Sequence, residues 1–292
     1  MMDPQRIHVG AAQLDTQQGE LDANLDKHIE FVEEGRRRGL DVLVFPETSL
    51  SGYPHQFVHA GGMTRDCERI ERIGAAAGEM TVLIGFVEEA PGAQFYNSSV
   101  VLADGRLVHL HRKLNLATYG KFEEGKYFAG GRYVEAFNVV PGYWRASILI
   151  CADVWNPALV HRAALHGATM LLAPINSAED AFGSEFSNPA GWDQVSRFYA
   201  MIYGMPVVLA NRVGSEAGLS FWGGSRIVDP FGTVLAEAGR EEELIDAELD
   251  YEGLRRARIQ LPTVRDSNLA LVSREIARLE GQIGVPSGIR SR

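Results

Sequence analysis

The order of apolar and polar residues in the first third of the chain predicts strands that alternate with helices. The run IHVGAAQL predicts a buried strand, and residues 22–39 carry Leu25, Ile29 and Val32 at helical spacing before a glycine stop. DVLVF predicts the next strand, and TVLIGFV predicts another one further along. A second helix between them is predicted from five residues that would share one face: Met63, Cys67, Ile70, Ile73 and Ala77. Two βα units therefore open the chain.

The middle of the chain shows a different pattern, in which turn residues separate two β-rich runs. FYNSSVVLADGRLVHLHRK has Asp104-Gly105 between its halves, a dipeptide that strongly favours a tight hairpin. The runs YVEAFNVV and WRASILI flank Pro141-Gly142 in the same way, and SRIVDPFGTVLAEAG predicts a third pair. Since hairpins give antiparallel neighbours and βα units give parallel ones, the sheet structure should be mixed.

The remaining segments extend the alternation without a linker. PALVHRAALHG and GWDQVSRFYAMIYG predict helices, and ATMLLAPI and PVVLAN predict strands. Because no low-complexity stretch or internal repeat interrupts the chain, we expect one α/β domain over residues 1–260, with helices covering sheet faces. Residues 261–292 hold one amphipathic helix, with Leu269, Val272, Ile276 and Leu279 on one face. We expect this segment to be an arm that docks on another subunit, which predicts a homodimer or a larger homo-oligomer.

Composition and charge narrow the class of protein. The chain has 292 residues with 46% hydrophobic content, enough for a large core, and a formal net charge of −10 that disfavours a nucleic-acid surface. It has no basic segment followed by an apolar run at the N-terminus and no apolar run of about 20 residues. We therefore expect a soluble cytoplasmic protein without nucleic-acid or membrane partners.

The two cysteines are too few for a disulfide framework, and neither lies near metal-ligand spacing. We expect a reducing compartment and no metal site. Cys67 lies on the predicted apolar helix face, where a cysteine behaves as a small hydrophobe. Cys151 differs, because the strand ILI ends there and Pro157 soon opens a helix. Such strand-to-helix turns lie at the carboxyl edge of a sheet, where α/β proteins commonly place their sites.

Two other strand ends carry chemistry that suits a thiol. DVLVF ends in Pro46-Glu47, and RLVHLH ends in Arg112-Lys113. A lysine can stabilise a thiolate, and a carboxylate can carry its proton. Each residue also has an ordinary structural alternative: a capping glutamate, a lysine that extends to solvent, a core cysteine. The strand pattern alone does not show that the three side chains meet.

Three ordered blocks, VFPETSLSGYP, HRKLNLATYGKFEEGKYF and ILICADVWNPAL, resemble the signature motifs of the nitrilase superfamily of carbon–nitrogen hydrolases. The resemblance extends through NRVGSEAGLSFWGGSRIVDPFG and so covers nearly the whole chain. It implies a four-layer αββα sandwich, a catalytic set of Glu47, Lys113 and Cys151, and no metal or organic cofactor. A second catalytic glutamate is implied at Glu124 rather than at Glu123, although either acid could instead be a solvated loop charge.

The resemblance also implies a mechanism, in which Glu47 acts as general base and the sulfur of Cys151 attacks an amide carbon. Lys113 and the backbone N–H of Ala152 would stabilise the oxyanion, and a thioester would follow before water releases the acid. The expected substrate is a small amide, and the nitrogen leaves as ammonia or an amine.

Departures from subfamily patterns bear on the substrate. Nitrile-cleaving members have Trp-Glu after the cysteine, whereas this chain has Ala152-Asp153, which disfavours nitriles. Members that bind a substrate carboxylate have an arginine soon after the cysteine, whereas Val154-Trp155-Asn156 stands here. Arg212 or Arg226 could replace that arginine, but each is better interpreted as half of an ordinary ion pair.

The same blocks are similar to the glutamine amidohydrolase domain of glutamine-dependent NAD synthetases. That similarity implies a substrate pocket lined by Tyr53, Tyr119 and Phe122, to which we add Trp155. Ala152 stands where those domains have an acid for the substrate ammonium, and we expect no synthetase domain here. We therefore expect a free-standing amidase for an apolar or neutral amide. Nitrile hydrolysis, N-carbamoyl hydrolysis, acyl transfer to an amine and a catalytically silent binding protein are the alternatives.

Overall fold

The computed structural model describes residues 4–53, 58–181 and 185–283. The helices are α1 (Leu21–Arg37), α2 (Val58–Gly61), α3 (Glu68–Ala77), α4 (Pro157–Leu165), α5 (Asn188–Tyr203), α6 (Tyr251–Gln260) and α7 (Leu269–Ile283). The strands are β1 (Arg6–Gln13), β2 (Val42–Val44), β3 (Thr81–Ala90), β4 (Gln94–Ala103), β5 (Arg106–Arg112), β6 (Ala136–Val140), β7 (Trp144–Ile148), β8 (Met170–Pro174), β9 (Val207–Ala210), β10 (Val213–Glu216), β11 (Leu219–Trp222), β12 (Arg226–Val228), β13 (Val234–Glu237) and β14 (Glu243–Asp250).

Among the described residues, twelve strands form two six-stranded mixed sheets. The first has the order β14-β1-β2-β3-β4-β5 and the second the order β13-β12-β9-β8-β7-β6. In each, three central strands are parallel and the flanking strands are antiparallel. The parallel neighbours are joined through helices, and hairpins join β3 to β4, β4 to β5, β6 to β7 and β12 to β13. The antiparallel pairs of β1 with β14 and of β9 with β12 are not hairpins. At Asp104-Gly105 both residues have positive φ, as a two-residue hairpin turn requires.

The two sheets pack face to face on a shared apolar core, and strands such as β2 and β8 are apolar on both sides. In β2, Val42 and Val44 point into the core between the sheets, while Leu43 points to the opposite face. In β8, Met170 points into the same central core and Leu171 away from it. The near-continuous apolar runs of the sequence thus reflect strands that are buried on both faces.

Helices cover the outer face of each sheet and complete four layers. Val32 of α1 and Ile73 of α3 pack on the first sheet. Val160 of α4 and Tyr199 of α5 pack on the second sheet. The α/β class and the αββα sandwich expected from the sequence are confirmed by this layer order.

The second predicted helix begins later than its pattern indicated. The helix starts at Glu68, with Cys67 as its N-cap, and Met63 instead forms a β-bridge with Glu88. The prediction that Met63 and Cys67 lie on a helical face was therefore wrong. Both still contact the apolar cluster under this helix, so their hydrophobic character reflects burial, not helical spacing.

The segment after residue 260 forms the helix α7, as the apolar spacing predicted. None of the residues of α7 is buried, and its apolar face is exposed, with Ile276 at 52%. The rest of the predicted arm, residues 284–292, lies outside the described residues. No helix among the described residues has the length and apolar character that a bilayer-spanning segment needs.

Candidate active site

Three loops that follow strands bring the predicted residues together. Glu47 lies three residues after β2, and Lys113 directly follows β5, both in the first sheet. Cys151 lies three residues after β7 of the second sheet, at the start of a 3₁₀ turn that spans Cys151–Asp153. Because the sheets are stacked, the carboxyl ends of β2 and β7 meet at one edge of the sandwich.

Lys113 lies between two carboxylates in a buried ion cluster. Its Nζ donates to Glu47 Oε1 at 2.6 Å and to Glu124 Oε1 at 2.8 Å. All three side chains are only 1% exposed. A buried lysine with two carboxylate partners holds a fixed position, since breaking such a pair leaves an uncompensated charge.

The two glutamates differ in how their oxygens are used. Glu124 Oε1 also accepts from the Tyr53 hydroxyl at 2.9 Å, and its Oε2 accepts from the Ala117 N–H at 2.8 Å. Glu47 Oε1 accepts from Asn97 Nδ2 at 2.7 Å as well as from Lys113. Glu47 Oε2, in contrast, is buried and has no hydrogen-bond partner within the described part of the chain. Glu47 therefore keeps an oxygen that can accept a proton.

The choice between the adjacent acids is clear in the geometry. Glu124 begins a short 3₁₀ turn and points inward to Lys113, whereas Glu123 is exposed and pairs with Lys126 at 2.5 Å. The structure thus brings Glu124, not Glu123, to the predicted site.

The electrostatics of the cluster extend to the thiol. Burial raises the pKa of Cys151 well above its usual value, the charge of Glu47 raises it further, and Lys113 and the Asn176 backbone lower it. The thiol is therefore protonated at neutral pH and needs a base. Burial also raises the pKa of Glu47, although Lys113 opposes this, so Glu47 is a stronger base than an exposed glutamate.

The ammonium of Lys113 is retained in spite of its burial. Burial alone would lower the pKa of Lys113, but Glu124 and Glu47 raise it well above its usual value. The site therefore presents a permanent positive charge beside the thiol, as stabilisation of an oxyanion requires.

Both reactive loops contain a non-glycine residue in the left-handed region. Cys151 has φ of +46°, and Thr48, next to Glu47, has φ of +48°. Such conformations are unfavourable for residues with a Cβ and are found where surrounding contacts hold a functional side chain in place. Gly85 of β3 permits the Glu47 loop to lie against the strand, because a Cβ there would be 2.3 Å from the Pro46 carbonyl oxygen.

Hydrogen bonds after β8 join the Glu47 loop to the second sheet. The Glu47 N–H donates to the Ile175 carbonyl at 3.3 Å, and Asn176 Nδ2 donates to Thr48 Oγ1 at 3.3 Å. Since the backbone of Asn176 also hydrogen-bonds Cys151, one short segment contacts both the predicted base and the predicted nucleophile.

Asp153 fastens the nucleophile turn to the Lys113 loop. Its Oδ1 accepts from the N–H groups of Leu114 at 3.0 Å and Asn115 at 2.6 Å. Its Oδ2 accepts from the N–H of Ile150 at 3.1 Å and lies 3.3 Å from His111 Nε2. The sequence interpretation used Asp153 only as a subfamily mark. In the sequence, the signal for this structural role was an acid two residues after the predicted nucleophile, which directly follows the apolar run ILI. The structure shows that this acid is fully buried.

Comparisons with known proteins agree with this geometry. The carbon-nitrogen hydrolase family matches the chain over residues 8–259. The chain belongs to this family. An (R)-stereoselective amidase of a Pseudomonas species is 31% identical over 254 residues, which is 83% of this chain and 85% of that protein. The structure of a carbon-nitrogen hydrolase from Helicobacter pylori G27 superposes with a TM-score of 0.80 at 24% identity, over 91% of this chain and 96% of that one.

A second kind of relative is larger than this carbon-nitrogen hydrolase. A glutamine-dependent NAD(+) synthetase of Thermotoga maritima is 30% identical over 259 residues, which is 85% of this chain but 42% of that protein. The chain therefore spans less than half the length of that relative.

A cavity of about 680 Å³ opens beside the Cys151–Asp153 turn. Its described lining residues are Leu114, Asn115, Leu116, Tyr119, Ala152, Trp155, Asn156 and Phe186. Ala152 follows Cys151, and Leu114 follows Lys113, so the cavity adjoins the Cys151 turn and the Lys113 loop. Two of the four residues expected to line the substrate pocket, Tyr119 and Trp155, lie on its wall.

The other two expected pocket residues lie deeper. Tyr53 and Phe122 are buried in an apolar cluster that also contains Ala152. Their rings meet edge to face at a centroid distance of 6.0 Å, and Phe122 meets Tyr119 at 6.1 Å. They support the wall from behind, and Tyr53 reaches Glu124 directly.

The two arginines considered as carboxylate clamps are held in ion pairs. Arg212 pairs with Glu216 at 2.6 Å and with Asp15 at 3.0 Å. Arg226 pairs with Asp193 at 2.6 Å. Over residues 4–53, 58–181 and 185–283, no three His, Cys, Asp or Glu side chains are grouped as a metal site would need.

Proposed function

We propose that this carbon-nitrogen hydrolase cleaves a small amide through a thioester on Cys151. The observation that carries the proposal is the buried Glu47–Lys113–Glu124 cluster, whose charges act directly on the Cys151 thiol. The free oxygen of Glu47 supports its role as the base. Glu124, whose oxygens are all engaged, instead orients Lys113 and Tyr53.

The first half of the reaction forms the thioester. Glu47 Oε2 takes the proton of the Cys151 thiol while the sulfur attacks the amide carbon, which gives a tetrahedral oxyanion. Lys113 and the N–H of Ala152 stabilise this oxyanion. Glu47 then gives its proton to the amide nitrogen, the C–N bond breaks, and ammonia or an amine leaves.

The second half releases the acid. Water gives a proton to Glu47 and attacks the thioester carbon, and a second oxyanion forms at the same place. Its collapse breaks the C–S bond, the sulfur regains the proton from Glu47, and a carboxylic acid departs. In this scheme Glu47 carries the protons, Cys151 and then water form bonds to the acyl carbon, and Lys113 and Ala152 donate hydrogen bonds to the oxyanion.

The experiment compares the two cysteines of the chain. Cys151→Ala should abolish ammonia release from propionamide, whereas Cys67→Ala, at a helix N-cap packed on an apolar cluster, should retain it. Intact-mass spectrometry of the wild type should show an acyl adduct on Cys151 that decays as acid appears. Hydroxylamine should divert that acyl group to a hydroxamate.

Three outcomes would contradict the proposal. Equal loss of activity in both cysteine variants would mean that the wrong thiol was assigned. A nitrile cleaved faster than its matching amide would point to nitrilase activity instead. If calorimetry shows that amides bind, but no acyl adduct, ammonia or hydroxamate forms, the protein would be a catalytically silent binding protein of this fold.

A further inference from the structure

We propose that the cavity beside Ala152 is a subsite for a neutral aromatic or bulky apolar group carried by the amide substrate. This inference rests on the proposed function and names the class of amide that the site prefers.

The described wall is mainly apolar, with Asn115 and Asn156 as its neutral polar residues. Of its eight described lining residues, three are aromatic (Tyr119, Trp155 and Phe186), and none carries a charge. Tyr119 is 39% exposed and Phe186 is 44% exposed, so two large rings face the opening. Exposed rings gathered in one concave surface are typical of a ligand site, and about 680 Å³ lies within the range of such sites.

The cavity offers no described partner for a charged substrate group. The buried cations of the described chain are Lys113, Arg212 and Arg226, and each is already paired with two carboxylates. A substrate carboxylate or ammonium placed here would lose its hydration without gaining an ion pair. Glutamine, which carries both groups, therefore fits the wall poorly.

The rings are held in place from behind. Trp155 packs on Trp192 of α5 at a centroid distance of 4.7 Å and meets Phe186 at 5.8 Å. Gly191 lets both rings approach this helix, since a Cβ there would be 2.9 Å from Trp155 and 3.1 Å from Phe186. A wall supported in this way presents a preformed face on which a flat apolar group can stack.

The test compares matched amides with and without a phenyl group. On the acyl side the pair is 3-phenylpropionamide and propionamide, and on the amine side it is N-benzylpropionamide and N-methylpropionamide. In one of the two pairs the phenyl compound should have a kcat/KM about 10- to 100-fold higher, as expected for burial of one aromatic ring. The pair that responds shows which end of the amide occupies the subsite.

Variants of the wall should remove this advantage selectively. In Phe186→Ala and in Trp155→Ala the phenyl preference, measured as the ratio of kcat/KM for the phenyl amide to that for its small partner, should fall about 10-fold. Phe186 is half exposed, so its removal leaves the core intact even if Trp155→Ala destabilises the protein. Phe231→Ala, which removes an equally exposed ring outside the cavity, should keep the wild-type preference.

A binding measurement separates the two proposals. In Cys151→Ala, calorimetry should show the responding phenyl amide to bind at least about 10-fold tighter than its small partner, in a manner that depends on Phe186. If the phenyl amide binds more tightly in this way but the wild type turns over no amide, the subsite proposal would stand and the hydrolase mechanism would be overturned. Turnover of small amides with no phenyl preference in either pair would overturn the subsite alone. A preference for glutamine or for a cationic amide would also overturn it.

Discussion

Replacement of Lys113 by methionine tests the buried charge cluster most directly. Methionine has a similar length but no charge, so Glu47 and Glu124 would stay buried at 1% exposure without their shared cation. Breaking a buried pair in this way costs about 3–5 kcal/mol of folding free energy. Loss of one oxyanion donor should also lower kcat by about 10²- to 10³-fold.

The stability loss in Lys113→Met should depend on pH with a definite sign. Burial already raises the pKa of Glu47, and removal of the ammonium raises it further. A group whose pKa is higher in the folded state stabilises the fold at low pH, and this contribution disappears as pH rises through that folded pKa. The difference from wild type should therefore be small near pH 5 and largest near pH 8.

Urea denaturation of wild type, Lys113→Met and Lys126→Met at pH 5 to 8 provides the measurement. Lys126 is 63% exposed and pairs only with Glu123, so its replacement should change stability by less than about 0.5 kcal/mol at every pH. A deficit in Lys113→Met below about 1 kcal/mol at pH 8, or one that stays constant with pH, would refute the buried-cluster assignment. So would a kcat within about tenfold of wild type.

Three further predictions concern positions outside the ion cluster. Asp153→Asn should lower kcat by about 10²-fold, because an amide cannot accept from all the N–H groups that join the Cys151 turn to the Lys113 loop. An unchanged kcat would exclude this positioning role. Burial lowers the pKa of His28 to about 4, so the unfolded chain binds a proton more readily than the folded protein between pH 6.5 and pH 4. The free energy of unfolding should therefore fall by about 3 kcal/mol over this range. In His28→Gln, urea denaturation should show a pH dependence that is smaller by this amount. We propose that the exposed apolar face of α7 docks on a second copy of the chain. Ile276→Asp should then shift the mass measured by light scattering toward that of the monomer, whereas Arg274→Asp should not. A wild type that is monomeric in this measurement would contradict the dimer.

The central strands could be predicted from the sequence because burial leaves short apolar runs that are typical of buried strands. β14 could not, since ELIDAELD is an edge strand with a mixed order of buried and exposed positions and contains four acids. The hairpin of β10 and β11 was also missed. Its strands are four residues long and its turn depends on positive φ at Ala217 and Gly218, which no apolar pattern signals.

The site could be predicted in part, and for a different reason. The strand pattern predicts that Glu47, Lys113 and Cys151 stand at strand ends. Their convergence depends on how the two sheets stack, and only the family resemblance predicted that. Asn97 illustrates the limit. It is a fully buried polar residue in β4 that donates to Glu47, and in sequence it is one polar residue in the run NSSVV.

The division of the site between the two sheets has a consequence for when the site forms during folding. Glu47 and Lys113 extend from the first sheet and Cys151 from the second, and the contacts of Ile175 and Asn176 join them. A folding intermediate with only the first sheet formed would hold Glu47 and Lys113 without the Cys151 thiol, and one with only the second sheet formed would hold the thiol without its base. During refolding, recovered amidase activity should therefore appear with the docking of the sheets, later than the signal from helices and strands.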